Sequence, residues 1–140
     1  DEGQPADPPV IYLTWQQSPE STMIINWITP LDQNDDQLEY RRLGDRIWTQ
    51  KSGFHFKLPQ KTPYFLHRLE LVGLQPDTKY EFKIGKGDHI YKFQTMPQNL
   101  TTHIRFVAGG DMYHDKVETL RQVNQLAAKT YPRFGLVGGD

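Results

Sequence analysis

Strict alternation of apolar and polar side chains leaves a chain few ways to fold, and residues 10–97 of this sequence show it repeatedly. Tyr80, Phe82 and Ile84 alternate with Lys79, Glu81 and Lys83. Successive side chains of a strand point to opposite faces, so this pattern buries one face and wets the other; a helix would scatter the three apolar residues around its circumference. The same period recurs upstream: Met23, Ile25 and Trp27 face one way, and Ile24, Asn26 and Ile28 the other. It returns in Leu38 and Tyr40 against Glu39 and Arg41, and in Phe54, Phe56 and Leu58 against His55 and Lys57. Phe65, Leu69 and Leu71 share a face interrupted by His67, and Tyr91, Phe93 and Thr95 alternate with Lys92 and Gln94. Val10 to Trp15 is an apolar run stopped by Gln16-Gln17-Ser18-Pro19, and Pro30 with Asp32-Gln33-Asn34-Asp35-Asp36 stops the next. About seven short strands, with turn residues roughly every 8–12 positions, predict a two-sheet β-sandwich.

The pattern changes after a polar linker at 98–102. His103 to Ala108 is a mostly apolar strand ending in Gly109-Gly110-Asp111. Lys116 to Lys129 carries Val117, Leu120, Val123, Leu126 and Ala127 at spacings of three and four, the stripe of an amphipathic helix closed by Pro132. Phe134 to Val137 is a second apolar strand, ending in Gly138-Gly139-Asp140. Strand, helix and strand in this order predict a βαβ unit with parallel strands. Such sheets are covered on both faces and rarely stop at two strands, so residues 103–140 read as the start of a larger α/β domain. Residues 1–9 read as a polar tail.

Composition narrows the functional classes. Seven Phe, seven Tyr and three Trp supply enough aromatic mass for one compact core. Sixteen basic against seventeen acidic residues, with no basic run beyond Arg41-Arg42, argue against a nucleic-acid partner. No apolar run approaches the ~18 residues of a membrane helix, so no membrane partner is expected. The absence of cysteine removes disulfides, thiolate metal sites and cysteine nucleophiles together. The chain opens without Met on a Pro-rich stretch, which reads as a processed terminus and predicts a secreted or periplasmic protein.

The two Gly-Gly-Asp ends carry the chemistry. Ligands of α/β sheets gather outside the carboxyl ends of the strands, where both aspartates fall. Parallel neighbours lie about 4.8 Å apart, so two such carboxylates can converge on one metal ion or on a close pair. A single Gly-Gly-Asp often just ends a strand and caps the next segment. Two copies at equivalent places in one βαβ unit favour the metal reading. His55, His67, His89 and His103 are scattered over the strands at no ligand spacing and read as surface or hydrogen-bonded core residues. Trp15, Trp48, Phe54 and Phe56 read as core and sheet-face packing, with a ligand-binding stripe as the alternative.

A family resemblance joins these pieces. Leu74-Gln75-Pro76-Asp77-Thr78-Lys79-Tyr80 is the turn-and-tyrosine pattern of fibronectin-III-like sandwiches, in which the tyrosine hydroxyl returns to the turn backbone. Trp27 is then the central core aromatic. With Leu13-Thr14-Trp15, Thr22 to Trp27, His67 to Gly85, Phe93 to Pro97, Phe106 to Asp111 and Val137 to Asp140, the order and spacing resemble the purple acid phosphatases over residues 10–140. That resemblance implies a fibronectin-III/immunoglobulin-like β-sandwich over 10–97, followed over 103–140 by an incomplete α/β metallophosphoesterase domain. It implies hydrolysis of phosphate monoesters by metal-activated hydroxide at a centre of two metal ions, iron with zinc, manganese or a second iron. Asp111 would bind the first metal and Asp140 would bridge both. The family's further ligands, a Tyr three residues on, an Asn in Gly-Asn-His and three His, would lie beyond Asp140. The remainder of the catalytic domain is therefore an expected partner, and residues 1–140 alone are expected to be inactive. The sequence departs from the family just after Asp111, where Tyr113 and His114 stand. Tyr113 reads as lining the pocket or approaching the metal, and His114 as touching substrate phosphate or opening the helix. Two other functions stay open: a fibronectin-III-like binding or spacer module, and a metallophosphoesterase acting on phosphodiesters or nucleotides.

Overall fold

A computed structural model describes residue 8, residues 10–59, 63–99, 106–109 and 134–137, and residues 122, 125, 126 and 129. The chain divides into two compact units, Asp1–Gln98 and Asn99–Asp140.

The first unit is built from two four-stranded antiparallel sheets. One runs β1(Val10–Thr14), β2(Met23–Pro30), β6(Tyr64–Leu71), β5(Phe54–Lys57) across its width, and the other β4(Thr49–Ser52), β3(Gln37–Arg42), β7(Lys79–Ile84), β8(Tyr91–Gln94). Each sheet contributes its alternate side chains to one core. Met23, Ile25, Trp27, Leu69 and Leu71 come from the first, and Leu38, Tyr80, Phe82, Ile84 and Phe93 from the second. Sequence alternation thus becomes a sandwich because each sheet has one apolar face and only the other can cover it. Trp27 is fully buried, the central position expected of it.

The outward face of β2 is buried as well, with Ile24 and Asn26 shielded. Asn26 is satisfied there: its amide donates to Thr14 Oγ1 at 3.0 Å and to the Tyr12 carbonyl at 3.3 Å, and its oxygen accepts from Arg68 Nε at 2.9 Å. A buried amide is tolerated only with such partners.

One strand, β4, carries no periodic signal. Thr49-Gln50-Lys51-Ser52 is a polar edge strand with little buried surface, held by its ladder to β3. Of the core and sheet-face packing expected of Phe54 and Phe56, only the sheet-face part holds: they are 55% and 41% exposed on the outward face of edge strand β5, with their ring centroids 6.4 Å apart. Trp15 is likewise outside the core, 37% exposed. Trp48 lies on a sheet face beneath two cations, with Arg41 Cζ 4.0 Å and Lys83 Nζ 4.3 Å from its ring centroid.

The expected tyrosine corner is formed. The Gln75 backbone N–H donates to Tyr80 Oη at 2.7 Å, while Asp77 takes the left-handed conformation (φ 49°) that closes the turn. Removing the hydroxyl strands a part-buried N–H at a cost of about 1–2 kcal/mol. We therefore expect Tyr80→Phe to lower the melting temperature by roughly 5–10 °C, checked by thermal denaturation followed by circular dichroism.

In the second unit, β9(Phe106–Gly109) and β10(Phe134–Val137) pair in parallel, in the register Phe134↔Phe106 to Val137↔Gly109. Of the expected helix, Gln122, Gln125 and Leu126 are helical, and the Lys129 N–H donates to the Gln125 carbonyl at 3.2 Å. Leu126 is 62% exposed. The helix positions Val117, Leu120, Val123 and Ala127 lie outside the described residues.

Candidate functional site

Among the described residues, one group of side chains has metal-ligating chemistry: Asp36, His55 and His67, each offering a ligand atom within 4.8 Å of the others. The ladder of the first sheet builds it. Ile11 pairs with Trp27, Trp27 with His67, and His67 with His55, a single rung across β1, β2, β6 and β5. Directly paired residues project to the same face, so both imidazoles turn inward beside the core tryptophan. The Trp27 and His67 rings stack at 5.1 Å between centroids and 3° between planes. His55 leans on Phe65 at 4.6 Å.

Asp36 arrives from the other sheet, at the residue before β3. Asp35 Oδ1 accepts the Gln37 N–H at 2.9 Å, a turn that fixes the loop, and the Asp36 carbonyl accepts the Gly53 N–H at 2.9 Å. Gly53 is the single residue between β4 in one sheet and β5 in the other. Any Cβ there would overlap the Arg68 carbonyl oxygen and stand 2.9 Å from Leu69 Cβ. Glycine lets the strand change sheets, carrying His55 toward Asp36.

Asp36 Oδ1 is 2.7 Å from His67 Nδ1, and Asp36 Oδ2 is 2.8 Å from His55 Nδ1. His67 Nε2 is 2.6 Å from Thr29 Oγ1, and that hydroxyl donates to the Gln33 carbonyl at 2.9 Å. Having spent its proton on Gln33, Thr29 accepts from Nε2, which assigns a ring proton there. Nδ1 of a neutral His67 would then aim a lone pair at a carboxylate. A positive centre between Nδ1 and Asp36, a second ring proton or a metal ion, removes that repulsion. The His67 side chain is 0% exposed, Asp36 19% and His55 30%, so the cluster is sealed on its core side and open at the sheet edge.

A cleft is lined by Trp27, Thr29, Asp32, Asn34, Asp35 and the Gly85-Lys86-Gly87 turn.

Asp111, Asp140, Tyr113 and His114 lie outside the described residues. The described backbone gives the frame before them: β9 and β10 end in register, two residues before Asp111 and three before Asp140. The His55–His67 pair is invisible while each histidine is weighed singly. The antiparallel register of β5 and β6 pairs positions whose numbers sum to 122, as 55 and 67 do, and that pairing rather than either histidine alone marks the site.

No curated protein matches the chain. The profile described as "Purple acid Phosphatase, N-terminal domain" matches residues 8–102. That span takes in the sandwich, the tyrosine corner and all three members of the His–Asp cluster, and covers more than half of the 140 residues. The chain belongs to the purple acid phosphatase N-terminal domain family.

Proposed function

We propose that this chain is the N-terminal portion of a binuclear-metal phosphatase that hydrolyses phosphate monoesters, with Asp111 and Asp140 as metal-binding carboxylates. The observation that supports this reading is the parallel pairing of β9 and β10: the two strands end on the same side of their sheet, and each leads in sequence to an aspartate, Asp111 and Asp140. Family membership of residues 8–102 supports the activity class. The order of the sheets, β1-β2-β6-β5 and β4-β3-β7-β8, supports a fibronectin-III/immunoglobulin-like sandwich, matching the ABED and CFG sheets with one added edge strand.

Carboxylates are hard oxygen donors suited to iron, zinc or manganese, and such ions, when bound, supply Lewis acidity toward phosphoryl oxygens and an activated nucleophile. The chain's own contribution is to hold two negative side chains close together where a cation relieves their repulsion. Tyr113 and His114 follow Asp111 closely enough in sequence to border the same pocket and orient the ester. Export to the periplasm or exterior fits the reading.

The test is turnover of p-nitrophenyl phosphate and metal content in the longest natural form of the protein. Asp111→Asn and Asp140→Asn should each lower kcat/KM by at least ~100-fold, since losing even an outer partner of a metal ligand costs up to that much. Residues 1–140 alone should give background rates. Full turnover in both variants would overturn the phosphatase reading in favour of a binding module. A preference for diesters or nucleotides would redirect the substrate class alone.

A further inference from the structure

The geometry points to a second metal site in the sandwich itself: a mononuclear centre for a divalent first-row ion of the zinc type, held by His55 Nδ1, His67 Nδ1 and one oxygen of Asp36. Three features converge on it.

The first is the donor set. Two imidazoles and a carboxylate, with no thiolate, suit zinc and its neighbours and suit magnesium or calcium poorly. All three donor atoms lie within 4.8 Å of one another. Tetrahedral ligands at the usual zinc distances stand about 3.3–3.5 Å apart, so an ion enters when Asp36 withdraws by roughly half an ångström from its present 2.7 and 2.8 Å contacts. The Asp36 carboxylate can make this shift by side-chain rotation while its backbone stays bonded to Gly53, and His55 stands on an edge strand.

The second is the outer partner. A metal-binding histidine almost always donates its other ring N–H to a fixed acceptor, which sets tautomer and ring plane. His67 has that arrangement through Nε2, Thr29 Oγ1 and the Gln33 carbonyl. Stacking against Trp27 fixes the ring plane again. Nδ1 is thereby presented as a lone pair toward Asp36, a poor arrangement for an unprotonated hydrogen-bond pair and a good one for a ligand.

The third is access. His67 is sealed while His55 and Asp36 are partly open, so the ion enters from the sheet edge, and water completes its coordination there. An ion at this place ties edge strand β5 to the loop before β3, that is, one sheet to the other. Its role is to pin the sandwich edge, independent of the phosphatase centre.

The experiment uses the full 140-residue chain carrying Asp111→Asn and Asp140→Asn, so that carboxylates of the proposed phosphatase centre do not compete for the ion. Zinc chloride is titrated by calorimetry and, in parallel, by nitrogen NMR of the imidazoles. We expect one ion per chain, movement of the Nδ1 resonances of both His55 and His67, and no competition from magnesium. The melting temperature should rise on the order of 10 °C at zinc about a hundredfold above Kd. His55→Ala, on a part-exposed edge position, should keep the sandwich and lose at least tenfold in affinity; Asp36→Asn should do the same. The proposal is overturned if 100-fold excess zinc leaves the two Nδ1 resonances unmoved, if zinc binds with those resonances unchanged, or if His55→Ala binds as tightly as its parent. Unmoved resonances would identify the cluster as a purely protonic His–Asp–His network. Because the phosphatase carboxylates are already removed, none of these outcomes bears on the phosphatase reading.

Discussion

Trp27→Ala is expected to remove a large share of the sandwich's stability and to move its urea midpoint well down. Trp27 is 0% exposed and belongs to the core cluster drawn from both sheets. Truncating a buried tryptophan removes its apolar surface and leaves a cavity, together about 3–5 kcal/mol. A domain of this size is stable by only about 5–15 kcal/mol, so the loss consumes a large share of the total. A second penalty is specific to this fold: the indole is also the wall against which His67 stacks. With the wall gone, water reaches a buried ring pair, and the Thr29–His67–Asp36 contacts loosen. Urea unfolding followed by tryptophan-independent far-UV circular dichroism measures the effect. Trp27→Phe should recover roughly half of the loss, because it keeps a flat apolar wall while leaving a smaller void. A midpoint unchanged in Trp27→Ala would mean that the core is not organised around this residue.

The legibility of this molecule divides along physical lines. Alternation in β3, β6, β7 and β8 is readable because each strand has one more deeply buried face, and burial is what writes period two into a sequence. Tyr80 is readable because a turn with a fixed return bond demands one residue type at one place. Strand β4 is not, since an edge strand with exposed polar side chains leaves no apolar imprint. Phe54 and Phe56 mislead for the opposite reason: aromatic residues at alternate positions show which face they share and are silent on whether anything covers it.

The His–Asp cluster shows a further limit. Its members come from a loop, an edge strand and a central strand, separated by 19 and 31 positions from Asp36. Pairing His55 with His67 needs only the hairpin register, which a sequence can suggest. Bringing Asp36 to them needs the crossing from one sheet to the other at Gly53, and that is a property of the assembled sandwich. The proposed phosphatase carboxylates differ in kind: Asp111 and Asp140 stand out because a repeated strand-end motif marks them locally.

Gly53→Ala tests that crossing most directly. Most glycine-to-alanine changes in a connection stabilise slightly by restricting the unfolded chain. Here the sign reverses. Gly53 is not among the glycines with positive φ, so the objection is steric: the added methyl overlaps the Arg68 carbonyl oxygen and presses on Leu69 Cβ. The obstacle is backbone of central strand β6, which is bonded to β2 along its whole length and cannot retreat. The connection must therefore move, and the Gly53 N–H to Asp36 carbonyl bond breaks with it. Forced overpacking at a rigid site and one lost hydrogen bond together cost about 3 kcal/mol or more. That corresponds to a fall of roughly 12–24 °C in melting temperature. Displacing β5 also carries His55 away from His67 and Asp36, so zinc affinity should fall along with stability. Gly44→Ala is the matched control: its added methyl meets no neighbour, so its cost is confined to the strain of φ 96° and should leave zinc affinity intact. Equal melting temperatures for Gly53→Ala and its parent would show that the two sheets are not joined through this close approach.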